Sequence, residues 1–207
     1  MQSFAAFLRG INVAGQKSIK MVELKAMMED LGFEEVQTYI QSGNIFFKSK
    51  EKEEGKLQAK IKKGIRDTFN FVVPVLVWPT SLINKYLKSN PYLAEKPEEA
   101  RLYYTLLSEK PSAENVEKLM ALANDIDFYT VHDKIIYILV NTKYSDSKFS
   151  NNMIEKVLKV EATTRNHATM VKMGGGERFI VVVKCKKLII FFNLAFVLNF
   201  LKLKFIR

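Results

Sequence analysis

Cysteine and histidine are nearly absent from this chain. It has one cysteine, Cys185, and two histidines, His132 and His167, in 207 residues. A single thiol excludes an internal disulfide framework and a cysteine cluster for zinc. The three residues together are too few for a His/Cys metal site, so no metal is expected. This cysteine usage fits a reducing cytosol, and a cytoplasmic location is expected. No G-x-S-x-G is found, which removes the nucleophile elbow, although composition leaves a Ser-His-Asp triad open. The first apolar run, Phe4–Leu8, is too short for a secretory segment and continues into Arg9-Gly10. No residue pattern names a cofactor.

What is present is ample core material. The chain is 48% apolar with 15 Phe and 8 Tyr, which excludes global disorder. The formal charge is +10, a value that suggests polyanionic partners. From Gly174 onward there are seven basic residues and one acid, leaving 25 basic and 21 acidic residues in 1–173, a net of +4. The body is therefore mildly basic, and charge alone argues weakly for nucleic acid.

Periodicity orders the elements. Ser3–Leu8 reads as a strand, and Met21, Leu24, Met27, Met28 and Leu31 form a helical stripe over Lys20–Leu31, closed by Gly32. Val36–Ile40 and Ile45–Lys48 read as a hairpin through Gln41-Ser42-Gly43-Asn44. Glu51–Phe69 is a second helix, with acids in its first turns that suit the helix dipole. Phe71–Trp78 is a fourth strand, and Pro74 argues for an edge or a bulge. The order βαββαβ is that of the split-βαβ, ferredoxin-like unit. A short helix over Leu82–Lys88 and irregular chain around Asn90-Pro91 and Pro97 follow. Then come a strand at Arg101–Leu107, a helix at Ala113–Ala123 and a hairpin, Phe128–His132 and Ile135–Val140, turning at Asp133-Lys134. A helix at Asn151–Leu158 and a last strand at Val160–Thr164 end the series. The expected fold class is α+β, with two tandem ferredoxin-like (βαββαβ) units and antiparallel sheets. The expected division is 1–79, a helical linker 80–100, a second unit 101–173, and an atypical tail 174–207.

The tail, Lys187–Arg207, is built almost wholly of Leu, Ile, Phe, Val, Asn and Lys. Its apolar core of 14 residues, Leu188–Leu201, is shorter than the roughly 20 that span a bilayer. Three readings compete: a membrane-associated helix, a core helix, and a non-native carboxyl end from a shifted reading frame. The third is preferred, because these residue types have A/T-rich codons. A membrane partner is expected only if the tail is native.

Several motifs are similar to a known family. FLRGINVAGQKSIKMVELKAMMEDLGFEEVQTYIQSGNIFF resembles the start of the bacterial domain of unknown function 1697 family. Asn90-Pro91-Tyr92 and Thr163-Thr164-Arg165-Asn166 continue the resemblance, which spans about residues 2–172. RGIN, the K-M-x-x-L helix start, LGF, TYIQSGN and TTRN follow in the family's order. The resemblance implies a two-part α/β fold akin to paired ferredoxin-like units, and no established activity. Two departures stand out: His167 follows the TRN where an aromatic residue is common, and GGGERFIVVV replaces the usual short helical ending.

Three stretches carry chemistry. Gly10–Ser18 sits between a strand and a helix and nearly spells G-x-x-x-x-G-K-[ST], with Gln16 as one residue too many. No hydrophobic strand ends in an Asp suited to magnesium, so nucleotide hydrolysis is disfavoured. Anion binding at this loop needs only free N–H groups with Arg9 and Lys17. In the plainer reading Arg9 pairs with a carboxylate and Asn12 caps a turn.

The second is a sheet face carrying Phe7, Arg9, Gln37, Tyr39, Gln41, Phe46 and Lys48, which could stack RNA bases or pack on the other half. Packing is preferred, because Asn44 and Ala5 stand where RNA-recognition aromatics belong. The third is Thr163–His167. Arg165 offers a planar fork for a carboxylate or phosphate, and His167 offers a proton carrier. The plainer reading has Arg165 tying the last strand to the sheet through backbone carbonyls. His132 is expected in solvent. Trp78-Pro79 and Asn90-Pro91-Tyr92 form an apolar wall between the halves or pack as core and linker.

The expected function is a non-enzymatic binding protein for a small anionic ligand or nucleic acid. Its ligand-binding residues are Arg9, Gly10, Asn12, Lys17, Gln41, Ser42, Gly43, Asn44, Arg165 and Asn166, on loops at strand ends. The alternatives are an enzyme acting on a phosphorylated or carboxylated small molecule, with His167 or a bound water as base, and a protein-interaction module. No catalytic residue is assigned.

Overall fold

The computed structural model describes residues 1–13, 15, 17–95, 102–122, 127–140 and 150–175. Residues 176–207 of the atypical tail 174–207, residues 96–100 of the expected linker and Arg101, the expected start of a strand, lie outside the described residues. So do Ala123, the end expected for one helix, and Ala14 and Gln16 of the first loop.

Strand alternation decides the architecture. In β1 (Gln2–Leu8), Phe4, Ala6 and Leu8 enter one core while Ala5 and Phe7 enter another, and all five are fully buried. A strand apolar on both faces is central and covered on both sides. β1 pairs antiparallel with β3 (Asn44–Ser49) and β4 (Val75–Pro79), and β3 pairs with β2 (Glu34–Tyr39), giving the order β2-β3-β1-β4. The outer face of this sheet is covered by α1 (Met21–Asp30) and α2 (Glu54–Phe69), through Leu24, Met28, Leu57, Ile61 and Ile65.

The second half uses the same order. β5 (Leu102–Leu107), β6 (Asp127–His132), β7 (Ile135–Val140) and β8 (Ala162–Asn166) form a sheet β6-β7-β5-β8, again antiparallel. α4 (Ala113–Met120) and α5 (Asn151–Leu158) cover its outer face through Leu119, Ile154 and Leu158. The protein is thus a mixed α/β structure with two four-stranded antiparallel sheets and helices.

The halves share a core. Ala5, Phe7, Leu76 and Trp78 of the first sheet cluster with Leu102, Tyr104, Leu106, Ile135, Tyr137 and Leu139 of the second. α3 (Thr80–Lys88) adds Ile83 and Tyr86, and α6 (His167–Met173) adds Met170 and Met173. Met1–Gly176 forms one compact unit. Trp78 therefore packs in the shared core, 5.3 Å from the Tyr86 ring.

Several boundaries differ from the periodicity. β4 begins at Val75, after Pro74, and is an edge strand, a position that tolerates proline. α2 begins at Glu54, because the Glu51 carboxylate accepts the N–H groups of Lys52 and Glu53 and holds the chain out of the helix. Those backbone bonds lower the Glu51 pKa. β8 runs to Asn166, two residues past the expected Thr164, and α6 follows directly because the Asn166 side chain accepts from Thr169 N at 2.9 Å. Among the described residues, no helix is long and apolar enough to cross a membrane.

Polar groups in the shared core are treated unequally. Asn90 Nδ2 donates to the Tyr104 hydroxyl at 2.9 Å, and Tyr92 N donates to Asn90 Oδ1 at 3.0 Å, which fixes the amide. The Tyr104 hydroxyl also hydrogen-bonds His167 Nδ1, 2.7 Å away. The Tyr137 hydroxyl, by contrast, is buried with no hydrogen-bond partner. Burial, followed by the neighbouring Tyr104, pushes its pKa up to about 12.

Opposite outcomes are expected for the two phenols in urea denaturation. Tyr104→Phe strands Asn90 Nδ2 and His167 Nδ1 and costs about 1–3 kcal/mol. Tyr137→Phe removes an unpaired buried hydroxyl and leaves stability unchanged or raises it by about 1 kcal/mol.

Candidate functional site

The residues singled out by sequence gather where β1, the β2–β3 turn and β8 meet. Leu8 N donates to Gly43 O at 2.8 Å, so the end of β1 lies against the turn. Asn12, in the left-handed region at φ 55°, clamps the two loops together. Its Nδ2 donates to Gln41 O at 2.8 Å and to Ile19 O at 3.0 Å, while its Oδ1 accepts from Ile19 N at 2.8 Å. Asparagine suits this position because its short amide bonds to backbone and tolerates the left-handed conformation.

The β2–β3 turn is held from inside. Asn44 is fully buried. Its Nδ2 donates to Tyr39 O at 3.1 Å and Ser42 Oγ at 2.9 Å, and its Oδ1 accepts from Arg165 Nε at 2.5 Å. Gly43 has φ 76°, and a Cβ there would stand 2.7 Å from Leu8 Cβ and 2.8 Å from Ile11 Cδ1. Only glycine fits, for conformation and for space.

Arg165 lies in β8 opposite Tyr104, 9% exposed. A guanidinium has five N–H donors, and here all five have acceptors. Nε meets Asn44 Oδ1, Nη1 meets Thr163 Oγ1 and Thr164 O at 2.8 Å each, and Nη2 meets Leu8 O at 2.7 Å and Ser42 O at 3.2 Å. The group also sits 5.7 Å from the Phe7 ring centroid, within cation–π range. Burial pulls its pKa down to about 10, so it stays charged at neutral pH. In this arrangement the fork ties β8 and the first half together through three carbonyls, an amide and a hydroxyl, and has no donor left over.

The remaining sequence-singled residues divide between rim and periphery. Arg9 is held by the Glu155 carboxylate and by Asn152 Oδ1, at 2.5 Å from Nη2. Lys17 Nζ donates to Val72 O at 3.0 Å, four residues before α1 starts at Met21, so it does not sit as a phosphate-loop lysine at a helix start. Gly10, Lys17, Gln41 and Ser42 are exposed, whereas Gly43 and Asn44 are buried. Asn166 caps α6 and does not join the Arg165 cluster. His167 is 8% exposed and turned to Tyr104. His132 is exposed, 6.3 Å from the Tyr86 ring. Phe7 of the proposed RNA face is fully buried against the second half, and Tyr39 packs on the same core. Among the described residues, no group of three or more His, Cys, Asp or Glu is placed to hold a metal ion.

Sequence reasoning missed the partners. Glu155 and Asn152 lie more than 140 positions from Arg9, and no local pattern links them. Asn90 and Tyr104 carried no signal as a hydrogen-bonded pair.

Two substitutions test the clamp. Arg165→Met strands the carbonyls of Leu8 and Ser42 and the Asn44 amide oxygen, and is expected to cost about 2–5 kcal/mol in urea denaturation. Gly43→Ala, strained in φ and in contact with Leu8, is expected to cost more than about 2 kcal/mol.

The comparisons with known proteins agree with this architecture. The chain is similar to the solved structure of a conserved bacterial protein from Streptococcus pneumoniae, at 25% identity and a TM-score of 0.61. The alignment covers 84% of this chain and 97% of that one. No curated protein matches the chain. The family described as Protein of unknown function (DUF1697) matches residues 1–137, which include Arg9–Ser18 and Gln41–Asn44 but not Thr163–Asn166. With that match covering well over half of the 207 residues, the chain belongs to the DUF1697 family.

Proposed function

We propose that this protein is a non-enzymatic, cytoplasmic binding protein whose ligand is a small anion, or an anionic group of a nucleic acid. The ligand sits on the Arg9–Lys17 loop and the Ile40–Asn44 turn. The observation that carries the reading is where left-handed backbone concentrates. Gly10, Asn12, Gly15, Lys17, Ile40 and Gly43 all have positive φ, from 47° to 76°. The other positive-φ residues have local reasons. Asn70 and Lys159 are helix C-caps, Gly32 and Gly175 follow helices, Asp133 is in a hairpin turn, and Glu35 lies at a register shift in β2. Ile40 is the outlier among them: a β-branched residue at φ 49° that is 51% exposed. Backbone of this kind persists only where surrounding contacts enforce it, and such positions cluster at ligand sites.

The chemistry favours an anion. Neither Arg9–Ser18 nor Ile40–Asn44 contains a carboxylate. Arg9 is neutralised by Glu155, so Lys17 is the cation left at the rim. Lys17 and Gln41 supply side-chain donors, and Gly10, Ser42 and the surrounding backbone supply N–H groups. Asn12, Gly43, Asn44 and Arg165 hold the loops from behind, and Asn166 anchors the end of β8. Each half is proposed to be a ferredoxin-like unit, 1–79 and 101–173, joined through 80–100. The support is the shared βαββαβ order with β1 or β5 next to the last strand of its sheet. The enzyme alternative has less support, since His167 Nδ1 is taken by Tyr104.

Thermal unfolding in low salt tests the site. Millimolar inorganic phosphate or nucleoside monophosphate is expected to raise Tm by ligand linkage. The rise should vanish in Lys17→Ala and Gln41→Ala. Lys17 is the informative choice, because Arg9→Ala would also strand Glu155. A Tm unmoved by any of these anions, or moved equally in both variants, refutes the reading.

A further inference from the structure

We propose that the exposed face of α2 is a second anion-binding surface, one that takes the phosphate backbone of a double-stranded nucleic acid without reading its sequence. Lys48–Phe69 holds eight basic and four acidic residues, a net of +4. Residues 1–173 as a whole carry +4, so everything else in that span sums to zero. The basic character of the body is confined to one helix and the chain leading into it.

The helix presents that charge in a line. Leu57, Ile61 and Ile65 are buried against the first sheet, which turns Lys56, Lys60 and Lys63 outward as an exposed i, i+4, i+7 row. The row climbs about 6 Å from Lys56 to Lys60 and about 10 Å to Lys63. Lys50, Lys52 and Lys60 have no carboxylate partner among the described residues, and Lys60 lies 5.1 Å from the Phe33 ring centroid. Lys56 pairs with Glu53 at 2.7 Å and Lys63 with Asp67 at 3.0 Å, but all four side chains are well exposed. Exposed pairs of this kind contribute little and yield readily to a phosphate.

Two features choose the occupant. All three large aliphatic side chains of α2 are spent on the core, leaving nothing apolar to enter a lipid surface. The outward positions carry no aromatic ring to stack a base, which favours a duplex backbone over a single strand. The cleft of about 220 Å³ beside the helix is lined by Glu34 and Glu51 as well as by Lys50 and Lys60, and is not the seat. β3 runs away from the Asn44 turn into α2, so the head of the helix lies at the opposite end of the sheet from the proposed loops.

Fluorescence anisotropy of the full chain with labelled duplex RNA and duplex DNA, over a salt series, tests this surface. Binding is expected at low salt for both. Each phosphate-contacting lysine should contribute about −0.9 to the slope of log affinity against log salt. Combined Lys56→Ala, Lys60→Ala and Lys63→Ala should weaken low-salt affinity at least about tenfold and remove about one unit of slope per lysine. Lys60→Arg should bind as wild type, with circular dichroism confirming that every variant folds. The proposal is overturned by absence of duplex binding, by binding unaltered in the triple variant, or by binding to phosphatidylserine vesicles alone. Loss through Lys17→Ala only would also overturn it, while leaving the loop site standing.

Discussion

The buried guanidinium of Arg165 is the constraint around which the two halves close. Taking a charge out of water is tolerable only if its hydrogen-bonding capacity is filled. Here the acceptors come from both halves: Thr163 and Thr164 from β8, and Leu8, Ser42 and Asn44 from the first sheet. Three of the acceptors are backbone carbonyls, so the requirement runs outward into the loops. Ser42 O faces the arginine while the next carbonyl, Gly43 O, faces Leu8 N. Gly43 makes this turn in left-handed backbone, where a Cβ would meet Leu8 and Ile11.

Around that charge the shared core is apolar and continuous. Phe7 packs under the guanidinium and reaches the second sheet, and Trp78, Tyr86, Tyr104 and Tyr137 fill the space between sheets. α3 and α6 complete this core, so the segment between the halves is part of the packing as well as a connection. At the edge, Arg9 with Glu155 and Lys62 with Glu161 add ion pairs between the halves. These are partly exposed and contribute about 1 kcal/mol or less. Registration of the halves rests on the interior contacts.

Much of this was legible in sequence, and the reasons are local. β1 alternates two apolar faces, α2 carries Leu57, Ile61 and Ile65 at helical spacing, and the β6–β7 turn at Asp133-Lys134 sits where the pattern places it. The misses are places where a distant partner overrides a local preference. Thr163–Asn166 holds no apolar alternation that would extend the strand, yet β8 continues because Arg165 is pinned from 121 and 157 positions away. α6 starts immediately after it, since Asn166 is an N-cap whose signal lies in the same residues as the strand. The loop chemistry was legible as composition, with no acid and several glycines. Which of those residues face solvent and which brace the loops was not, because burial is set by partners distant in the chain, Leu8 and Ile11 at Gly43 and Arg165 at Asn44.

The two halves therefore contribute differently. The carboxylate-free loops and the basic row of α2 both belong to the first half, and the proposed anion sites with them. The second half supplies the braces: Arg165 beneath the turn, and Glu155 and Asn152 on Arg9. Pairing Arg9 with Glu155 removes one positive charge from the loop, while filling every Arg165 donor removes a second from competition for ligand. What remains exposed at the proposed loop site is backbone and one lysine, so selection proposed there rests on shape more than on charge. On α2 the balance is reversed, with many exposed cations on a plain helix, and the selection proposed there rests on charge.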